Sequence, residues 1–268
     1  MEYVRQEGRT VFGRTQCQTP WHLLPPIYLD DTGGAYTLLV NPSGGLVGGD
    51  HLSIDLSVGP EGRVLISTPS ANRVYRSLSK PSIQDVRVNV GPNGILEWMP
   101  EHTIPFARSR FRQIIDVRLA AGATVLLWDA MASGRIASGE RWQFTGFAND
   151  IRIRTASGAA VRERFAIESA GMRGGTRLAE AWDYVASFFM IGDAVETSQW
   201  AQLETLLAGI LDQYHGEVLG GVSQPAAPGL VVKMVARSAP ALTDALNALW
   251  GSARQTLWKL PPVTLRKY

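Results

Sequence analysis

Three segments of this chain repeat one pattern, and that repeat constrains the fold more than any other feature. Ile54-Asp55-Leu56-Ser57-Val58 leads through Gly59-Pro60-Glu61-Gly62 to Val64-Leu65-Ile66. Val86-Arg87-Val88-Asn89-Val90 leads through Gly91-Pro92-Asn93-Gly94 to Ile95-Leu96. Ile115-Asp116-Val117-Arg118-Leu119 leads through Ala120-Ala121-Gly122-Ala123 to Val125-Leu126-Leu127-Trp128. The copies begin at 54, 86 and 115, a spacing of 32 and then 29 residues. Alternation with period two marks half-buried strands. A period of this size marks stacked supersecondary units. Each unit reads as a β-hairpin that cannot bury its apolar face alone, so neighbouring units must stack. A fourth hairpin is predicted from Ile151 and Ile153 through Ser157-Gly158 to Val161, Glu163, Phe165 and Ile167.

Two helices close the chain. Thr197 or Ser198 is the expected cap of the first, Trp200, Leu203, Leu206, Leu207, Ile210, Leu211 and Tyr214 its apolar face, and Gly216 its stop. Ser238 is the expected cap of the second, with Pro240 in its first turn and a stripe from Leu242 to Leu260 before Pro261-Pro262. Leu230–Val235 reads as one strand between them. The fold class read from the residues is mainly β (α+β): stacked hairpin repeats with two C-terminal helices. It is expected as a single domain over 1–268, β-rich over 1–195 and helix-strand-helix over 196–268.

With 45% apolar and 19% charged residues, the 268-residue chain has material for a full core. Its 26 Lys and Arg nearly balance 24 Asp and Glu, and no basic block argues for nucleic acid or an anionic membrane. One cysteine, Cys17, forbids an internal disulfide. No apolar run approaches the roughly 18 residues of a membrane span, so a cytoplasmic protein is expected. Gly-x-Ser-x-Gly and P-loop signatures are absent, so neither a nucleophile elbow nor bound nucleotide is expected. The four histidines and Cys17 have no zinc-ligand spacing.

Asn41-Pro42-Ser43-Gly44-Gly45-Leu46-Val47-Gly48-Gly49-Asp50 is the most unusual stretch. A strand follows it rather than a helix, which argues against a phosphate loop. It reads as a turn between buried strands, or a turn that also positions the Asp50 carboxylate. Further acids sit in apolar β surroundings: Glu97, Glu101 beside His102, Asp129 and Glu163. Each must be paired, hydrogen-bonded, metal-bound or protonated. Arg76, Arg135 and Arg164 are candidate partners. If several acids line one cavity, weak exchangeable sites for a divalent ion follow.

Four motifs then occur in order. They are Pro42-Ser43-Gly44-Gly45-Leu46-Val47-Gly48-Gly49-Asp50, Thr68-Pro69-Ser70-Ala71-Asn72-Arg73-Val74-Tyr75-Arg76-Ser77, Leu96-Glu97-Trp98-Met99-Pro100 with Ile104, and Gly134-Arg135-Ile136-Ala137-Ser138-Gly139-Glu140. On these the chain resembles the urease accessory protein family UreD, also called UreH, from about Val40 to the Leu265-Arg266-Lys267-Tyr268 tail. The resemblance implies a non-enzymatic β scaffold whose hairpin repeats stack in a helical arrangement, and which binds UreF, through it the GTPase UreG, and apo-urease. It also implies that nickel, held only transiently, passes through an internal tunnel. The tunnel's metal-handling residues then match Asp50, Asp129 and Glu163, and Asn72 sits at another position on the passage. Tyr75, Arg76, Glu97, Arg135 and Glu140 are motif residues. The chain departs from the family pattern at His51, at Glu101-His102, at Val74 and in the tail; the two histidines add imidazole near the implied path. Two rivals are a docking adaptor that never admits nickel, and a β-rich glycosidase using two of the acids.

Overall fold

The computed structural model describes residues 1–168, 181–263 and 265. The expected tail match at Arg266-Lys267-Tyr268 lies outside them. Strands β1 (Glu2–Gln6) and β2 (Arg9–Phe12) open the chain as an antiparallel pair, and short β3 (His22–Leu23) and β4 (Ile27–Tyr28) flank β5 (Ala35–Val40). The coils follow: β6 (His51–Val58), β7 (Arg63–Ser67), β8 (Asn72–Val74), β9 (Ser82–Val90), β10 (Ile95–Met99), β11 (Thr103–Pro105), β12 (Arg110–Leu119) and β13 (Thr124–Ala132). After the two-residue pair β14 (Gly134–Arg135) and β15 (Glu140–Arg141) come β16 (Gly146–Arg154), β17 (Ala160–Glu168) and β18 (Tyr184–Gly192). Helix α1 (Thr197–Gln213), β19 (Val218–Ser223), β20 (Gly229–Ala236) and α2 (Ala239–Trp258) complete it.

The repeats stack in a mainly β architecture, but the first three units pair with the next copy rather than with themselves. Strands β6, β9, β12 and β16 run parallel in one sheet, ordered β17-β16-β12-β9-β6-β1-β2. Strands β5, β7, β10 and β13 run parallel in a second, which continues antiparallel through β18, β20 and β19. Each Gly/Pro turn is thus an arch from one sheet to the other. The reason lies in the second strand of each unit. Val64-Leu65-Ile66 and Leu126-Leu127-Trp128 are buried without alternation, which requires apolar neighbours on both faces. Only the middle layer supplies them. The fourth unit, β16–β17, is a true hairpin and closes the first sheet.

The arches stack as well as the strands. Glu61 N–H donates to Pro92 O at 2.9 Å, and Asn93 N–H to Ala121 O at 3.0 Å. Glu61, Asn93 and Gly122 take the same left-handed conformation at equivalent places (φ +57°, +55° and +74°).

Helices α1 and α2 cover the outer face of the second sheet, giving three layers. Leu126, Trp128, Phe188, Val232 and Met234 meet Leu203, Leu207, Leu246, Leu249 and Trp250 there. Between the sheets Ile54, Val86, Ile115 and Ile151 meet Leu96, Trp98, Val125 and Leu127. Ser238 caps α2 as expected, its Oγ accepting from Ala241 N–H at 3.3 Å. The cap of α1 is instead Glu196, with Thr197 already helical, and Leu206 on its face is 44% exposed. β19 is an additional strand between the helices, so that segment carries two. No described helix is long and apolar enough to cross a membrane.

One buried ion pair fastens α2 to the second sheet. Glu97 accepts from Arg254 Nη1 and from Trp250 Nε1, each at 2.5 Å, and Arg254 also reaches Asp30 at 3.1 Å. Glu97 and Arg254 are almost fully buried. Removing one partner strands a charge where water cannot compensate it. Arg254→Ala is therefore expected to destabilise the chain by about 3–5 kcal/mol, read from the urea midpoint. Glu97→Gln combined with Arg254→Met should lose less.

Candidate functional site

Along the first sheet, inward positions recur every two residues: Ile54, Val86, Ile115 and Ile151 form one row across paired strands. The next row is Leu52, Gln84, Gln113 and Asn149. In the second sheet Leu127, Phe189 and Val231 face inward, and the next inward positions are Asp129, Ser187 and Lys233, aligned in register. Beyond both rows the interior turns apolar again at Phe111, Phe147, Met131 and Phe144. A seam of polar side chains thus divides two apolar clusters between the sheets.

The seam is closely hydrogen-bonded. Asp129 Oδ1 accepts from Gln113 Nε2 at 2.7 Å, and Oδ2 accepts from Asn149 Nδ2 at 2.7 Å. Gln113 Nε2 also donates to Asn149 Oδ1 at 3.2 Å, and Gln84 Nε2 donates to Gln113 Oε1 at 3.0 Å. Ser187 Oγ lies 2.9 Å from both oxygens of buried Glu163, and Lys233 Nζ pairs with Glu163 Oε2 at 2.7 Å. Asp129 is half-buried, and its pKa is pushed up to about 7. Desolvation is the largest cause, the amide donors oppose it, and the negative charge of Glu163 adds to it.

Asp129 opens on a cavity of about 80 Å³ between the sheets. Asn72, Glu101, Gln84 and Gln113 share its wall, with Gly44 and Gly45 at its border. The structure therefore brings Asp129, Asn72 and Glu101 to one space and sets Glu163 beside Asp129. Asp50 is not in that wall. Its Oδ2 accepts from Val47 N–H at 2.8 Å and closes the glycine-rich turn. His51 points to the outer face and lies 2.6 Å from Asp85, away from the seam. His102 packs edge-on against Tyr184, and with Glu101 it borders a separate groove of about 260 Å³ beside α2. Glu97 lies on the helix side of the second sheet, locked to Arg254.

The remaining motif residues form a rim. Tyr75 donates to Gly44 O at 3.3 Å and stands edge-on to Phe106. Arg135 lies over the Phe106 ring at 4.4 Å and pairs with Glu140, which also accepts from Ala107 N–H at 3.1 Å. The Arg135 hydrogen bond holds the Glu140 carboxyl below its ordinary pKa. Gly45 (φ +156°) is needed where this loop crosses: a Cβ there would lie 2.4 Å from Arg73 O. Arg76 is exposed. Arg164 points outward at Asp150, so the cation on Glu163 is Lys233 instead. Gln84, Gln113, Asn149, Ser187 and Lys233 were not singled out from the sequence; extending the alternation of the first-sheet strands by two residues reaches the three amides, whereas Ser187 and Lys233 interrupt apolar runs that do not alternate.

Among the described residues, no three His, Cys, Asp or Glu side chains gather to hold a metal ion. The seam offers instead the Asp129 carboxylate among uncharged amides, with Glu163 beside it already paired to Lys233. Such a set suits brief contact with a divalent ion rather than retention.

A family profile described as UreD urease accessory protein matches residues 1–267. A urease accessory protein UreD of Deinococcus radiodurans is 32% identical over 100% of this chain and 93% of its own length. One of Paracidovorax citrulli is 28% identical over 98% of this chain and 94% of its own. A urease accessory protein UreD 2 of Streptomyces griseus is 30% identical over 100% and 92%.

The raised pKa of Asp129 sets a pH dependence. Between the ordinary aspartate value of 3.8 and about 7 the folded chain holds a proton that the unfolded chain releases. Stability therefore falls as pH rises through that window and levels above it. Measured against Asp129→Asn, the wild-type denaturation midpoint should decline from about pH 4 to about pH 7. A difference between the two that ignores pH would contradict the buried carboxyl.

Proposed function

Because this chain belongs to the UreD family of urease accessory proteins, we propose that it holds a complex of UreF and UreG on apo-urease and helps insert nickel into the urease. Nickel is the cargo. It enters the space between the sheets, contacts the Asp129 carboxylate beside Glu163, and moves on. Asn72 and Glu101 line its way. Partner docking gives direction, and tighter capture in the urease ends the path. The protein carries out no covalent chemistry in this reading.

The observation that carries the reading is the polar seam itself. Two acids inside an apolar sandwich cost stability unless something else retains them. Glu163 is neutralised by Lys233, whereas the side chains that donate to Asp129, Gln113 and Asn149, are uncharged. Amide and hydroxyl neighbours support a carboxylate without adding charge, so an ion that arrives is not trapped.

The test is activation of apo-urease by nickel in the presence of UreF, UreG and this chain. Asp129→Ala and Glu163→Ala are each expected to lower activation by about tenfold or more, the scale on which ligands and their supports act at metal sites. Co-purification of the complex should be unchanged. Normal activation by both variants would leave a docking adaptor.

A further inference from the structure

The amides around Asp129 are ordered in one direction. Gln84 donates to Gln113, Gln113 to Asn149 and Asp129, and Asn149 to Asp129. Gln113 and Asn149 both end the chain by donating to the carboxylate, and Gln84 donates into it from the far end. That arrangement suits an anion, and it is wrong for a cation: an ion at Asp129 would meet the positive ends of two amides. A side-chain amide has a second face. Half a turn about its last bond replaces NH₂ with a carbonyl oxygen.

We infer that Gln113 and Asn149 are further ligands for a divalent ion at Asp129, supplied by reversal of this amide chain. With the ion present, both turn their carbonyl oxygens to it. The Gln113 NH₂ then faces Gln84, which turns in the same sense and accepts. Gln84 lines the cavity, so its own NH₂ ends among cavity water rather than in the core. The Asn149 NH₂ takes the place of Oδ1 and donates to the Gln113 oxygen that has replaced Nε2, so each buried amide keeps a partner in both states, as a buried two-state network requires. It also accounts for amides on three successive coils where the neighbouring row holds Val86, Ile115 and Ile151. A ladder of apolar residues would pack there, and backbone N–H donors would satisfy Asp129 without being able to change sign. The inference rests on the reading that an ion passes Asp129.

Equilibrium dialysis of the full chain against nickel sulfate alone tests it without urease. Asn149→Leu removes both faces of the amide, and Asn149→Asp keeps only oxygen. Asn149→Leu should bind nickel about ten- to a hundredfold more weakly than wild type, and Asn149→Asp at least as tightly as wild type. Should the Asn149 variants not fold by circular dichroism, Gln113→Met and Gln113→Glu make the same comparison from another strand. Wild-type binding by the apolar variant would overturn the inference, as would an acidic variant as weak as the apolar one. Asp129→Asn separates the two levels. If it abolishes binding while the apolar variant does not, only the amide role falls. If it leaves binding unchanged, the passage past Asp129 falls, and this inference with it.

Discussion

The backbone ladder between equivalent strands of successive coils is the constraint on which the rest depends. Parallel pairing puts equivalent residues side by side, roughly 4.8 Å apart in the direction of the ladder. A side chain at one position therefore becomes part of a row, whether Ile54-Val86-Ile115-Ile151 or Gln84-Gln113-Asn149. A slip of one residue in any alternating strand of the first sheet would turn its whole apolar set outward. The stacked arches hold the register at one end, since the left-handed residues Glu61 and Asn93 each hydrogen-bond to the next turn.

The same ladder separates two buried acids by role. Glu97 and Asp129 lie on neighbouring strands of the second sheet, on opposite faces. Glu97 faces the helices, where Arg254 and Trp250 saturate it. Asp129 faces the first sheet and a cavity, with uncharged hydrogen-bond donors. Burial raises both carboxyl pKa values. Only one of the two is arranged so that a passing ion gains something the protein has not already supplied. Membership of the UreD family gives that difference its context, because urease maturation is where such a chain works.

Much of this was legible in the residues. The repeat at 54, 86 and 115 and the stripe of α2 with its Ser238 cap lead directly to the fold. The arches were legible too, although they read first as hairpins: β6 alternates, while β7 is apolar throughout, and two halves of one hairpin in a two-layer protein would both alternate. β19 escaped because Val218-Leu219-Gly220-Gly221 has neither alternation nor strong strand formers at its centre. Asp129 and Glu163 stood out as acids among apolar neighbours. Gln84, Gln113 and Asn149 did not, because an amide at the end of a strand looks like a strand ending until parity is followed one step further. Asp50 shows the opposite effect: a conspicuous motif whose carboxylate holds its own turn.

A crystal of the complex with its partners, soaked in nickel and measured on both sides of the nickel absorption edge, tests the central claim most directly. The account predicts an anomalous peak between the two sheets beside Asp129, at partial occupancy, with oxygen neighbours. Nickel found only on the outer surface, with the space beside Asp129 empty at the same concentration, would contradict it.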